Sequence, residues 1–411
     1  MDGTCNNLQQ PAWGSSMRGL GRLAAPVYSD DDLGLRLSAE DGSELPSARL
    51  VSQKLARVVI GDSDKGDMSG HMMQWGQFLT HDMDHTPETL PPHVHDCCQD
   101  HYNSSVCAPI SIAGDDPLYG PINKSCMNFI RSTLAENNCM EDRQSDQINI
   151  KTSFLDGSMI YGSTLEQSNE LRQFKDGKKI ETPETLMPSA TGGECAIDLD
   201  QCFKSGDRRT NEQPGLTLYH TIWMKEHNRV AEALGKLRPG AGDEELFQEA
   251  RRIVIAELQM ITYNEFLPLI LSEEALRELS EDDVYDSALD ATISNSFSTA
   301  AFRFGHSQVP EQLRFSSIGC PRKDVERKNL RDSFFNPAVI HNPVKCDEHL
   351  SGLGDGAVRD PGAVFSASVS GQLFPHRESE AAGLGEIGLD LVALNVQRGR
   401  DHGLPGYSKF R

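Results

Sequence analysis

At 411 residues the chain is long enough for a large buried core, and length alone allows two or three domains of ordinary size. A net charge of −22, with a sequence pI near 5.0, excludes a phosphate-tracking basic surface, so nucleic acid is not an expected partner. No uninterrupted apolar run reaches the roughly 18–20 residues that span a bilayer, and Met1-Asp-Gly-Thr-Cys5 lacks the basic flank and apolar core of a secretion signal.

Residues 1–68 are rich in Gly, Pro, Ser and Asp and read as an irregular arm, with one compact patch at Leu45-Pro-Ser-Ala-Arg-Leu-Val51. Near the end of the arm, Lys65-Gly66-Asp67 is similar to an adhesion tripeptide, but three residues recur easily by chance and a solvated turn is the preferred reading. A helix is expected over 69–84. Within it Gln77 and His81 lie four residues apart on one face, whereas Asp82 points roughly 100° away, so one helix can serve two sites. The competing reading of this stretch is a core helix whose histidine is satisfied by a backbone carbonyl.

Residues 91–127 form a cysteine-bearing loop containing Cys97, Cys98, Cys107 and Cys126, with Cys139 soon after. Two glycosylation sequons, at Asn103 and Asn123, fall in the same region, and together these features point to a disulfide-laced surface loop of a secreted protein. A zinc site using Cys97, Cys98, His93, His95 and His101 is the alternative, but it lacks the two close ligand pairs of a structural zinc site. A short helix is expected near 131–138.

In Lys151–Gly162 the oxygen-bearing side chains of Thr152, Asp156 and Ser158 recur at even spacing, which turns them to one side of an extended segment and suits Ca²⁺; the plain alternative is a turn at Asp156-Gly157. Asp82 is a candidate second carboxylate for such a site. After a loop bounded by Cys195 and Cys202, Gly206-Asp-Arg-Arg-Thr-Asn-Glu212 leads into a helix over 214–234 with an apolar stripe at Leu218, Ile222, Val230 and Leu234. A second helix is expected over 243–264, burying Leu246, Ile253, Leu258 and Ile261, followed by acidic helical turns over 272–290. The stretch 293–306 ends at His306, for which a structural role is the default on local grounds. Gly383-Leu-Gly-Glu-Ile-Gly388 matches a dinucleotide fingerprint in letters only, since no strand precedes it. The last helical run, from Leu389, carries Asn395 in Asn-Val-Gln-Arg-Gly-Arg-Asp-His-Gly403. Strand signals are sparse, so the fold class is mainly α.

Taken together and in order, Gln77 with His81, the 152–158 loop, Arg209 with Glu212, Phe304-Gly-His306 and the Asn395–Gly403 run resemble the animal haem peroxidases of the myeloperoxidase, peroxidasin and peroxinectin type. The resemblance runs from Asp2-Gly-Thr-Cys-Asn-Asn7 to Arg411. It implies a single haem peroxidase catalytic domain over 1–411, with 1–68 as an arm and 69–411 as a helical haem-binding core of little β structure. It further implies that the domain is truncated at both ends, that part of its C-terminal portion is missing, that Cys5 has a partner upstream, and that the whole protein is secreted.

The same resemblance assigns roles. His306 is the expected ligand of the haem iron, its remote ring N–H held by Asn395. His81 is the expected acid–base group toward H2O2, Arg209 the fixed positive charge as the O–O bond breaks, and Gln77 the residue orienting peroxide, water or a small anion. Asp82, Thr152, the Phe154 carbonyl, Asp156 and Ser158 are the expected Ca²⁺ ligands. Glu212 matches one of two positions that often esterify haem b, but the other falls on Thr80, whose hydroxyl cannot form a carboxylate ester, and Gln213 offers no sulfonium link. The donor is expected to be a small anion (iodide, thiocyanate or bromide) or a phenolic or tyrosyl group. The alternatives are a weakly active or inactive adhesion protein of the extracellular matrix, making an integrin or matrix contact through Lys65-Gly66-Asp67, and a zinc hydrolase around 93–107.

Overall fold

The computed structural model describes every residue except 30–33, 62–65, 90–95, 100–105, 136–145, 191, 282–283, 320–322 and 376–386. Its α-helices, in chain order, are α1 (Ala48–Leu55), α2 (Gly70–Met83), α3 (Ser158–Tyr161), α4 (Leu165–Glu170), α5 (Pro214–Leu237), α6 (Asp243–Ile261), α7 (Leu267–Ile270), α8 (Glu273–Glu281), α9 (Asn295–Thr299), α10 (Pro343–Asp355), α11 (Leu391–Asp401) and α12 (Tyr407–Phe410). Among the described residues the named strands form five two-stranded ladders, supplemented by isolated bridges, so the chain is mainly α. One of them pairs Arg57–Val59 in parallel with Val364–Ser366, and another pairs Arg18–Gly19 with Ile148–Asn149, which stitches the N-terminal arm to distant parts of the chain.

Local chemistry accounts for where the main helices begin. Ser47 caps α1 by accepting from the Leu50 N–H, Gln213 caps α5 with Pro214 just inside, and Asp390 caps α11 by accepting from Val392. The α6 first turn carries Asp243, Glu244 and Glu245, which suit the positive end of the helix dipole. Deep inside, the α1 residue Arg49 bridges Asp116 at 2.8 Å and Asp390 at 2.6 Å, tying α1 to the start of α11.

The main core forms where α2, α5 and α6 meet. Met72, Trp75, Phe78 and Leu79 from α2 pack with Leu218, Tyr219 and Trp223 from α5 and Phe247, Val254 and Leu258 from α6. Burying each of these side chains contributes roughly 1.5–3 kcal/mol. The buried face of α6 runs through Leu246, Phe247, Ala250, Val254 and Leu258, a spacing of four, and leaves the expected core residue Ile253 on the exposed side, one helical step away. By length and composition, Asp243–Ile270 is a stretch that could cross a bilayer. Its acidic first turn and its core-facing stripe instead make α6 an amphipathic helix of this core. Beyond α6 a π-turn, Thr262–Phe266, brings the Thr262 hydroxyl to 3.3 Å from the Trp75 indole N–H.

The expected helix near 131–138 is absent from its described part. Residues 131–135 are extended, with Ser132 bridging Glu88 and Leu134 bridging Gln147, while the Ser132 N–H and Arg131 bind the Asp401 carboxylate. Those tertiary partners outweigh local helical preference. The disulfides join Cys97 to Cys107, Cys98 to Cys126 and Cys195 to Cys202. Cys5 is exposed and Cys346 buried, neither in a disulfide among the described residues, and Cys139 and Cys320 lie outside them. Lys65, Asn103, His93, His95, His101 and most of 383–388 also lie outside them. Asn123 is exposed, and Asp67 is exposed beside Gly66, whose N–H donates to the Val358 carbonyl at 2.8 Å.

Candidate active site

A cavity of about 650 Å³ lies on the side of α2 opposite the core. Gln77, Thr80 and His81 of α2 line it together with Arg209 and Glu212 from the turn that precedes α5, and His306 lines it from elsewhere in the chain. The helical spacing of α2 makes this division, because residues 73, 77, 80 and 81 turn to the cavity while 75, 78 and 79 turn to the core, with Met72 at the border of both.

His81 is 3% exposed and its Nδ1 has no hydrogen-bond partner among the described residues. Burial, reinforced by the nearby Arg209 charge, holds its pKa well below the ordinary value, so the ring is neutral and able to take up a proton. Asp207 lies 3.8 Å from Nδ1; with a neutral imidazole this is a close contact and not an ion pair. Asp207 is itself buried, and although burial opposes its charge, Arg209 and Lys151 hold its carboxyl well below the usual carboxylate range. Arg209 donates from Nε and Nη2 to the two Asp207 oxygens, each at 2.9 Å, and from Nη2 to the Asp84 carbonyl at 3.0 Å. The guanidinium is therefore locked in place by a carboxylate that also approaches the histidine. Neither Asp207 nor Lys151 was assigned a role from the sequence. The signal for Asp207 was its place two residues before Arg209, where its side chain caps the 3₁₀ turn Arg208–Asn211.

Gln77 is held on both sides: its amide nitrogen donates to Glu212 Oε1 at 3.3 Å and its oxygen accepts from the Gln213 side chain at 3.1 Å. Gln213 also donates to Gln74 Oε1 at 2.8 Å. Burial pushes the Glu212 carboxyl up to about 7, against the pull of Arg209. Thr80 spends its hydroxyl on the Gly76 carbonyl within the helix, at 3.0 Å.

His306, which also lines the cavity, sits in the 3₁₀ run Ala301–Gln308, and burial pushes its pKa down to about 3, so this ring is also neutral. Asn395 of α11 lies against it, with the amide nitrogen 2.9 Å from His306 Nδ1. The family resemblance implies that Asn395 holds the remote ring nitrogen of His306, and the two side chains do meet there. The Asn395 oxygen accepts from Arg303 Nη1 at 2.9 Å, and the donor in the Asn395–His306 contact depends on the ring's tautomer. Arg303, pushed down to about 10 by burial and by Arg398, was not anticipated either.

On the other side of His81, Asp82 faces the 152–158 loop. Its carboxylate accepts from the Gly157 N–H at 3.1 Å and the Met159 N–H at 3.4 Å, and its carbonyl accepts from the Ser158 hydroxyl at 2.8 Å. The Thr152 hydroxyl lies 3.5 Å from the Phe154 carbonyl, and Asp156 accepts from the Ser158 N–H at 3.1 Å. Gly157 has φ of 71°, and a Cβ there would sit 3.1 Å from the Tyr161 ring, so only glycine fits the turn. Burial, then repulsion from Asp156, pushes Asp82 up to about 7, and burial raises Asp156 as well. No cluster of three or more His, Cys, Asp or Glu side chains suited to a metal occurs among the described residues, so this loop offers two carboxylates supplemented by hydroxyl and carbonyl oxygens. Two buried carboxylates that repel one another, within reach of neutral oxygen donors, fit a hard divalent cation.

A family model described as animal haem peroxidase matches residues 1–411. The peroxidasin homolog of Mus musculus is 36% identical over 447 aligned residues, which cover the whole chain and 29% of that protein. A peroxidase of Drosophila melanogaster is 34% identical over the whole chain and 62% of its own length. Peroxidase A from Dictyostelium discoideum shares the fold with a TM-score of 0.80 at 27% identity, over 99% of this chain and 76% of that one. The fatty acid alpha-dioxygenase of Oryza sativa, at 19% identity and a TM-score of 0.73, covers 99% of this chain and 66% of that one and shows the fold alone. The chain belongs to the animal haem peroxidase family and spans less than two thirds of these two relatives from mouse and fly.

The cavity fits the family's cofactor. It is lined by two neutral histidines and by Leu313, Leu391, Leu394 and Phe304, and Arg303 and Arg398 supply cationic groups suited to the carboxylates of a haem.

Proposed function

We propose that the chain is the haem-binding part of an extracellular, H2O2-dependent peroxidase, folded as one catalytic domain over 1–411 with 1–68 as an arm and 69–411 as the core. The observation that carries this reading is one cavity lined by neutral His81, locked Arg209 and neutral His306. His306 would hold the iron of haem b, with Asn395 and Arg303 behind it. Bound haem supplies the redox-active iron that peroxide oxidises and a reducing donor restores. His81 takes a proton from one peroxide oxygen and returns it to the departing one, a role open to it because burial keeps it unprotonated. Arg209 holds positive charge where negative charge develops, and the Asp207 clamp keeps that charge from moving as it does so. Gln77, fixed between Glu212 and Gln213, orients the bound oxygen species or a small anion. Glu212, half protonated near neutrality, can form one ester to the cofactor, and with Thr80 opposite no second ester forms. Asp82, Thr152, Phe154, Asp156 and Ser158 would bind Ca²⁺ and brace the helix that carries His81. The donor class is a halide or thiocyanate, or a phenol.

Reconstitution with haemin followed by H2O2 with guaiacol or iodide tests the reading. Turnover is expected, and His81→Ala should lower the rate of reaction with peroxide about 10²–10⁴-fold. A haem-loaded chain that does not react with peroxide would instead favour a matrix-adhesion role, for which the exposed Asp67 is the supporting observation.

A further inference from the structure

The core face of α2 carries groups that the proposed peroxidase chemistry leaves unused. His71, Trp75 and Phe78 recur at intervals of four and three and meet Tyr219 of α5. The Tyr219 hydroxyl lies 2.8 Å from His71 Nδ1 and donates to it when His71 carries its proton on Nε2. Tyr219 is buried, and His71 is half-buried. A series of rings leads inward from the cavity: His81 to His220 at 6.4 Å between centroids, His220 to Phe78 at 5.0 Å and Phe78 to Tyr219 at 5.6 Å. It continues to Trp75 at 6.2 Å and to Trp223 at a further 5.8 Å.

We propose that Tyr219 is a redox-active site that gives one electron to the oxidised cofactor in the cavity while its phenolic proton passes to His71. The inference rests on the peroxidase reading, which supplies the oxidant. In this step the Tyr219 O–H bond breaks. The electron reduces the cofactor by one equivalent, and the proton binds His71 Nδ1. A neutral phenoxyl radical remains beside an imidazolium whose charge reaches solvent because the ring is half-buried. A phenol at the protein surface then returns an electron through Trp75 and Trp223, the proton moves back from His71 to Tyr219, and the donor releases its own proton to water. A phenolic side chain too large to enter the cavity can be oxidised in this way. A proton acceptor at hydrogen-bond distance is what a buried phenol needs for oxidation, since burial raises its pKa and disfavours loss of the proton beforehand. Tyr161 also has a histidine partner, His227 at 2.9 Å, but Lys179 and Arg251 lie 5.1 and 5.5 Å from its ring centroid and oppose removal of an electron.

The test is freeze-quench electron paramagnetic resonance of the haem-loaded chain after one equivalent of H2O2 without donor, with optical spectra recorded in parallel. A tyrosyl signal is expected that narrows when ring-deuterated tyrosine is incorporated and disappears in Tyr219→Phe. In the unmutated protein, a nitroso spin trap should leave its adduct on the Tyr219 peptide, which gives an assignment independent of any variant's folding. An optical reaction with peroxide, combined with no radical or with adducts only elsewhere, overturns this proposal and leaves the peroxidase reading intact. No optical reaction with peroxide overturns both.

Discussion

Glu212 shows how far a single residue's role depends on its surroundings. In sequence it is one glutamate in an acidic chain, and only the family resemblance singles it out. In the structure burial pushes its pKa from the ordinary 4.5 up to about 7, with the Gln77 amide on one oxygen. Because the folded chain binds this proton more tightly than the unfolded one, the associated stability is fully present below about pH 4.5 and is lost as pH rises through about 7. For the haem-free chain, Glu212→Gln should therefore flatten the decline in unfolding free energy between pH 4.5 and 8 by roughly 1–3 kcal/mol, discounting for partial exposure. Denaturant melts at several pH values measure it, and a variant whose decline matches the parent's would show that the carboxyl is not perturbed. The residues that sequence reasoning missed share a cause. Asp207, Lys151 and Arg303 act through partners distant in the chain: Lys151 reaches Asp207 at 3.1 Å across 56 positions, and Arg303 reaches Asn395 across 92. Periodicity carries no information about such pairs, whereas the i, i+4 relation of Gln77 and His81 is visible within one helix.

At the scale of elements, α2 carries three environments on one short helix. Its core face was legible as an apolar pattern, and its cavity and Asp82 faces as polar interruptions of that pattern. What the pattern could not supply was the partner of each face, since 131–135 and Ile253 show local preference giving way to tertiary contacts. The Asp82 face yields a prediction about coupling. A cation held by Asp82 and Asp156 would relieve their repulsion and fix the end of α2 that bears His81. Chelation of Ca²⁺ from the haem-loaded chain should lower haem occupancy or shift the Soret band, with restoration on adding Ca²⁺ back. A spectrum indifferent to chelation would separate the loop from the cavity. Removing one large core side chain tests the other face: Phe78→Ala, at a position with 0% exposure, should cost about 3–5 kcal/mol in a denaturant melt. A loss below 1 kcal/mol would mean that this face is loosely packed.

Across the whole molecule, residues from 70 to 402 line one cavity, and segments of the N-terminal arm pair with strands beyond residue 140. The mainly α class and the order of the main helices were readable in advance because long amphipathic runs specify themselves. The convergence of His81 and His306 on one cavity was readable only through resemblance to a family, because His306 alone gives no local sign of its role. The proposed function depends on that convergence, and so does the electron relay through Tyr219. Haemin titration of the chain and of His306→Ala, followed by optical and electron paramagnetic resonance spectra, tests it most directly. The parent should bind one haem per chain with the spectrum of histidine-ligated ferric iron, and the variant should lose that spectrum even if haemin still enters the cavity. Identical spectra from the two proteins would contradict the assignment of His306 to the iron.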